Sequence, residues 1–346
     1  MTKAERLAPR RRILAAVLFG LCSFVVAAGA NAAEKSRLIL GLTHDAGAGP
    51  LLIAAANHYF SEEGVEVELR FLASDALVTK GLASGTLDLG LAELDAPFFA
   101  AAGKDQLKLL ASAFSDQAGY PANGLLISKK ARAAGFRSVH DFPGKRIGMT
   151  APGAGVRYSL ERVALRYHLD SGTIQRVYLR TAANELDALA RGTIDGAILP
   201  YATALTQLRA GKGGAVIRLS DLNQWQEGAI AAPARTIAAK RPAIEAFIRA
   251  YRRGVAEYDL TFQQRSDEGE VLPGPRYAEY LALIGRDAKL PPTLLQQTMR
   301  YCDHLARLDA ADIERQLAFW QEQGLVDRRI IVADLFDLSF NGEPIR

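Results

Sequence analysis

GLASGTLDLG (81–90) and ALARGTIDGA (188–197) are near copies of one another, 107 residues apart from Gly85 to Gly192. Each runs from small and apolar residues into Gly-Thr, a branched aliphatic and Asp, and then into a short apolar stretch. A glycine at the end of a helical pattern supplies the left-handed cap that lets a helix turn into a strand. Both copies therefore read as the same piece of structure: a short helix, a tight turn and a strand.

The flanking sequence gives each copy the same setting. RLILGLTHD (37–45) reads as a strand, 50–64 as a helix stopped at Gly64, and VEVELRFL (65–72) as an alternating strand. DALVTKGLASG is the next helix and LDLGLAE (87–93) the next strand. The series restarts at GKRIGMTAPGAG (144–155), a strand and a glycine-bearing loop. A helix over 156–169, a strand over 174–180, a helix over 183–192 and a strand over 194–200 follow. Strands alternating with helices predict an α/β protein of two lobes, each a mixed, mostly parallel sheet flanked by helices. The apolar runs 125–128 and 229–233 mark where the first series hands over and resumes. Residues 33–125 and 228–346 are expected to form lobe one, with 126–227 inserted as lobe two. Beyond Arg241-Pro242 the pattern is helical, a C-terminal extension on lobe one.

Residues 1–32 read as a separate object. Lys3, Arg6, Arg10, Arg11 and Arg12 precede the apolar run ILAAVLFGLCSFVVAAG, and Ala30-Asn31-Ala32 follows as a small-residue cleavage site. That is a secretory signal peptide cut before Ala33, and it predicts export to the periplasm. The apolar run is near the short limit for a membrane anchor. The full chain has 42 basic and 38 acidic residues; taking away five bases and one acid with the leader through Ala33 leaves 37 of each. A formally neutral mature chain gives no electrostatic reason to bind nucleic acid. Cys302 is then the single cysteine, so no intrachain disulfide can form, and the five histidines are too scattered for a metal motif.

Ligands of parallel sheets bind beyond the carboxyl ends of the strands, where helix N-termini point inward. That rule nominates His44 and Asp45 after the first strand, Glu93 and Asp95 after the third, and Ser115, Asp116 and Tyr120 in AFSDQAGY (113–120). In the second series it nominates Thr150, Gly153, Ala154, Gly155 and Arg157, then Pro200 and Tyr201. Competing roles exist for each. Asp45 or Asp95 can cap a helix, the tyrosines can pack, and Arg157 sits in a first helical turn where a cation opposes the macrodipole unless it meets an anion. TAPGAG lacks the lysine and hydroxyl of a phosphate-binding loop. No GxSxG, HExxH or CxxC occurs, and adjacent His44 and Asp45 point apart, so no catalytic residue, metal or cofactor is expected.

An exported, neutral, two-lobed chain without catalytic chemistry suggests a protein that closes on a small molecule. The stretches AAANHYFSEEGVEVELRFLASDALVTKGLASGTLDLG (54–90), DAPFFAAAGKDQLKLLAS (95–112), SVHDFPGKRIGMTAPGAG (138–155), LARGTIDGAILP (189–200) and QLAFWQEQGLVDRRIIVADLFD (316–337) carry a family resemblance. In order and spacing they resemble the substrate-binding proteins of ABC importers in the sulfonate/taurine/nitrate and NMT1/THI5-like group. The resemblance implies a type-2 periplasmic-binding-protein fold, a ligand held between the lobes, delivery to a membrane permease and a monomeric receptor. It also places ligand contacts at His44–Asp45, Glu93, Asp95, Gly153–Arg157 and Pro200–Tyr201. The cysteine-rich stretch of NMT1-type enzymes is absent, which argues against pyrimidine synthesis. Acids at Asp45, Glu93, Asp95 and Asp116 make burial of a simple anion costly. They lean the ligand toward a nitrogen-containing neutral, cationic or zwitterionic molecule. Arg157 argues for the alternative, a sulfonate or aromatic carboxylate. A sensor or adaptor with the same fold is a further alternative.

Overall fold

The computed structural model describes residues 36–268 and 270–340. The expected leader, 1–32, lies outside the described residues.

Among the described residues, ten strands form two sheets of five. The strands are β1 (Ser36–Leu42), β2 (Val65–Phe71), β3 (Leu89–Glu93), β4 (Leu107–Asp116), β5 (Asn123–Ile127), β6 (Arg146–Met149), β7 (Gln175–Tyr178), β8 (Gly196–Pro200), β9 (Ala215–Arg218) and β10 (Trp225–Pro233). The order is β2-β1-β3-β10-β4 in one sheet and β7-β6-β8-β5-β9 in the other. β1 runs parallel to β2 and β3, and β10 runs antiparallel to both β3 and β4. In the second sheet β6 is parallel to β7 and β8, and β5 is antiparallel to β8 and β9. The two sheets thus share one plan, and in each the antiparallel strand is the one that the chain makes next to a crossing between lobes.

The helices are α1 (Gly49–Ala56), α2 (Tyr59–Glu62), α3 (Asp75–Ser84), α4 (Ala96–Asp105), α5 (Lys129–Ala133), α6 (Gly155–Arg166), α7 (Ala182–Arg191), α8 (Tyr201–Arg209), α9 (Ala234–Phe262), α10 (Tyr277–Asp287), α11 (Pro292–Leu295) and α12 (Ala310–Glu322). The helix expected over 50–64 is divided, because His58 takes a left-handed conformation (φ 60°) between α1 and α2. Helix α9 starts at Ala234, earlier than the sequence suggested, and runs through a break at Lys240 (φ −126°, ψ 26°) ahead of Pro242. A proline ring displaces the backbone of the preceding turn and offers no N–H, which accounts for the break.

The two repeated stretches sit at matching stations. Gly85 (φ 80°) caps α3 and Gly192 (φ 71°) caps α7, both left-handed. Asp88 and Asp195 then play one role: the Asp88 carboxylate accepts from Ile39 N–H of β1, and that of Asp195 from Arg146 N–H of β6, each at 2.9 Å. Leu87 and Ile194 fill the space beside β1 and β6, respectively. A Cβ on Gly41 would lie 2.3 Å from Leu87, and one on Gly148 would lie 2.7 Å from Ile194. Close approach of backbone to an aliphatic side chain is what these two strand glycines permit.

Apolar side chains fill both faces of both sheets. β1, α1, α9 and α10 enclose one core of lobe one, around Tyr251, Tyr258 and Phe247. Phe98, Phe99, Leu317 and Trp320 make the other, together with Trp225 of β10 and Tyr158 of α6. Tyr158 therefore carries lobe two into a core of lobe one. Around the second sheet, Phe136, Phe142 and Leu160 lie on one side, and Leu126, Leu189 and Leu199 on the other.

Candidate functional site: an acid-lined crevice between the lobes

The carboxyl ends of β1, β2, β3 and β4 lie along one edge of the first sheet, and each delivers an acid. Asp45 follows β1, Asp75 opens α3 after β2, Glu93 ends β3 with Asp95 beyond it, and Asp116 ends β4. Antiparallel β10 begins at the same edge and contributes Glu227. Facing them, the carboxyl end of β6 in lobe two gives Gly153 and Gly155.

The lobes meet here. Ala96 N–H donates to Gly153 O at 3.0 Å. A Cβ on Gly155 would stand 2.6 Å from Trp225 and 2.8 Å from Glu93 Oε1, so only glycine lets α6 approach this closely. Asn123 Nδ2 donates to Glu227 Oε1 at 3.0 Å. Tyr158 Oη donates to Asp312 Oδ1 of α12 at 2.7 Å.

Among the described residues, one cation bonds this cluster. Arg300, 8% exposed, comes from the C-terminal extension. Its Nη2 lies 2.9 Å from Asp45 Oδ2 and its Nη1 lies 3.4 Å from Glu227 Oε2. Burial alone would raise the Asp45 carboxyl, but the Arg300 guanidinium more than offsets this and holds it below the usual carboxylate range. The other acids go the opposite way, because burial disfavours charge and their neighbours are also acids. Asp75 is pushed up to about 6 by burial and by the charge of Asp45. Burial raises Asp95 to about 7 against the Phe98 N–H it caps, and Asp116 to about 7 with help from Glu227. Glu93 is raised well above its ordinary value by burial and then by Asp75, Asp95 and Glu227, and Gly155 N–H opposes the rise. Glu227 is raised by burial in spite of Arg300. Asp45, Asp75, Glu93 and Asp95 nevertheless keep part of their surface accessible.

The structure thus brings together Asp45, Glu93, Asp95, Asp116, Gly153 and Gly155 among the residues nominated from sequence. Ala154 is the N-cap of α6, and Thr150 lies at the carboxyl end of β6, its carbonyl accepting from Arg180 N–H. Asp45 and Asp95 are also caps, through Gly47 N–H and Phe98 N–H. Others sit elsewhere. His44 stacks on Phe71 and bonds Asp287 O at 3.0 Å, at the outer rim. Arg157 is turned to α12, where it meets Gln323 and lies over the Phe319 ring. Ser115 pairs through its backbone with Tyr301. Tyr120 and Tyr201 share a separate cavity of about 280 Å³ between lobe one and lobe two, with Arg218, Arg265 and Gln297, and Pro200 precedes Tyr201 at its edge. Asp75, Trp225, Glu227 and Arg300 were not nominated. Asp75 reads as the ordinary start of a helix, and Arg300 falls within 292–305, which the sequence pattern reads as helical, whereas the structure has a helix there only over Pro292–Leu295 and leaves Arg300 in irregular chain. The adjacent polar pair Gln226-Glu227 inside an otherwise apolar strand was the one available signal.

Residues 46–259 match the model of a family described as NMT1/THI5 like. The chain belongs to that family. No curated protein matches it. Among solved structures, the NMT1/THI5-like chain is similar to an alkanesulfonate-binding protein, SsuA, from Xanthomonas axonopodis pv. citri, bound to MOPS. The two share 19% identity with a TM-score of 0.65, covering 88% of this chain and 99% of that one. The periplasmic aliphatic sulphonate binding protein SsuA from Escherichia coli gives 17% identity and a TM-score of 0.67, over 89% and 99%. The periplasmic nitrate-binding protein NrtA from Synechocystis PCC 6803 gives 14% and 0.66, over 89% and 87%. At these identities the likeness is one of fold, and it agrees with the two-lobe architecture. Among the described residues no three His, Cys, Asp or Glu side chains are placed to hold a metal ion.

Proposed function

We propose that this NMT1/THI5-like protein is an extracytoplasmic solute receptor. It binds a small organic molecule between its lobes and presents it to the permease of an ABC importer in the periplasm. One observation carries the reading: acids from five strand ends of lobe one are gathered under the Gly153–Gly155 loop of lobe two, where the two lobes meet. Such a site gains its ligand contacts only when the lobes meet, and a permease can sense that closure. The fold shared with sulfonate- and nitrate-binding proteins supports it.

Native mass spectrometry of the mature protein isolated from periplasm, before and after unfolding and refolding, tests the proposal. A small molecule present before and lost after, with solute uptake lost on deletion of the gene, is the expected result. A sensor would carry the ligand equally and leave uptake unchanged. A protein that carries no small molecule at either stage sinks the receptor reading.

A further inference from the structure

The cavity of about 280 Å³ shared by Tyr120 and Tyr201 differs in chemistry from the acid cluster. Among the described residues that line it are two guanidiniums, Arg218 of lobe two and Arg265 of lobe one, and no carboxylate. Asp221 accepts from Arg218 Nε at 2.7 Å, and no other carboxylate among the described residues bonds that side chain. The Tyr201 hydroxyl lies within hydrogen-bond reach of the same guanidinium. Arg265 is held over the Tyr120 ring, 4.5 Å from its centroid, and donates from Nε to Tyr120 Oη at 3.1 Å and from Nη2 to Gly119 O at 3.3 Å. The crossing from β4 to β5 places this pair: Gly119 (φ 84°) lets the chain turn so that Tyr120 N–H donates to Gln117 O at 2.8 Å. Phe262 and Tyr277 add aromatic surface, their ring centroids 5.2 Å apart.

An apolar cavity of about 150 Å³ is enough for a benzene molecule, so one of about 280 Å³ has room for a single ring with a short substituent. The planar fork of a guanidinium matches the two oxygens of a carboxylate, and tyrosine and phenylalanine rings match a flat aromatic face. A cation would be repelled by both arginines, and a neutral ring would bring them no charge. We propose that this cavity is a second interlobe site, which takes a small aromatic carboxylate with its acid group toward Arg218 and Arg265 and its ring against Phe262 and Tyr277. The proposal goes beyond the receptor reading: it concerns a different place, of opposite charge to the acid cluster, and applies to an importer's receptor and to a sensor alike.

Both lobes are needed for this site. Tyr201 and Arg218 come from lobe two, while Tyr120, Phe262, Arg265 and Tyr277 come from lobe one. Beside the cavity, Arg209 Nη2 of α8 donates to Gln297 Oε1 at 2.6 Å, and Tyr201 N–H donates to Ala122 O at 2.8 Å. A molecule that touches both arginines binds best while these contacts are made, so it favours the arrangement in which the lobes are together.

The test uses the mature chain stripped by unfolding and refolding, titrated calorimetrically with benzoate and 4-hydroxybenzoate, and in parallel with benzamide, acetate and benzylamine. The expected result is saturable binding of at least one of the two aromatic carboxylates. It should be at least tenfold tighter than that of benzamide, which keeps the ring without the charge, or of acetate, which keeps the charge without the ring. Arg218→Gln should weaken it tenfold or more, whereas Arg191→Gln, which removes an exposed guanidinium of α7 outside the cavity, should leave it unchanged. The Arg218 side chain is 51% exposed, so the variant keeps its fold, which a parent-like melting curve checks. Silence of both carboxylates overturns the proposal. So does benzamide or benzylamine binding as tightly as benzoate, and so does carboxylate binding that is indifferent to Arg218→Gln. None of these outcomes touches the receptor reading, which stands or falls on the molecule carried from the periplasm.

Discussion

At the scale of single residues, Gly155 and Glu185 carry the clearest consequences. Gly155→Ala puts a methyl group where Trp225 and Glu93 already lie. The lobes must part by a fraction of an ångström or more, and we expect at least a tenfold loss of affinity for the crevice's ligand. Small-angle scattering should show a larger radius of gyration in the variant than in the parent. Glu185 of α7 is 0% exposed and neither carboxylate oxygen has a hydrogen-bond partner. Burial pushes its carboxyl up to about 8. Such a group holds its proton in the folded protein after it has lost it in the unfolded chain. Stability therefore falls as pH rises from about 4.5 to about 8, by a few kcal/mol in the limit. Glu185→Gln removes that slope, and denaturant midpoints at pH 5 and pH 8 should then move closer together. A variant with the parent's full pH slope would show that Glu185 is not its source.

At the scale of elements, α6 and α12 are the latch. Tyr158 reaches from α6 to Asp312, which also accepts from Gln226 N–H and Gln316. Tyr158→Phe keeps the packing and removes one hydrogen bond to a buried carboxyl, a loss of about 1.5–3 kcal/mol. Because that bond joins the lobes, part of the cost should appear as opening: faster amide exchange in α12 and around Trp225 than in β6. Exchange unchanged in both places would mean that the bond does not hold the lobes together. Most elements were legible beforehand, for reasons visible in particular stretches. The GT-aliphatic-D turns announced two equivalent strands, since glycine, the buried aliphatic and the strand-tying aspartate all serve one local geometry. The C-terminal segment was different. Arg300 sits in irregular chain, and what places it is a pair of acids 73 and 255 residues away in sequence. No local pattern encodes a partner at that distance. Asp45, Glu93, Asp95 and Asp116 were foreseeable because strand ends are periodic; Trp225 was hidden because an apolar ring in a strand reads as core.

At the scale of the whole molecule, the two lobes are joined by side chains with different chemistry on either side of the crevice. Glycine and alanine backbone lies over the acids, while α8 reaches the extension through Arg209 and Gln297 at 2.6 Å. Removing the internal cation tests how these parts balance. Arg300→Met leaves Asp45 and Glu227 without their counter-ion, and a buried pair broken from one side typically costs 3–5 kcal/mol. The loss should be worse at pH 8 than at pH 5, because protonation of the two acids relieves it at low pH. Melting temperatures at the two pH values measure this, and an equal drop at both would show that the guanidinium matters for packing alone.

The order of strands also has a consequence in time. β4 touches the first sheet only through β10, and β10 is made after the whole second sheet has been threaded. In the second sheet the corresponding strand, β5, is made first. As the chain emerges from its N-terminus, the later-made sheet can therefore be completed while the earlier one still has an unfilled slot between β3 and β4. Until residues 225–233 arrive, the acids of lobe one have no crevice to line, and closing that slot is the step that creates the binding site.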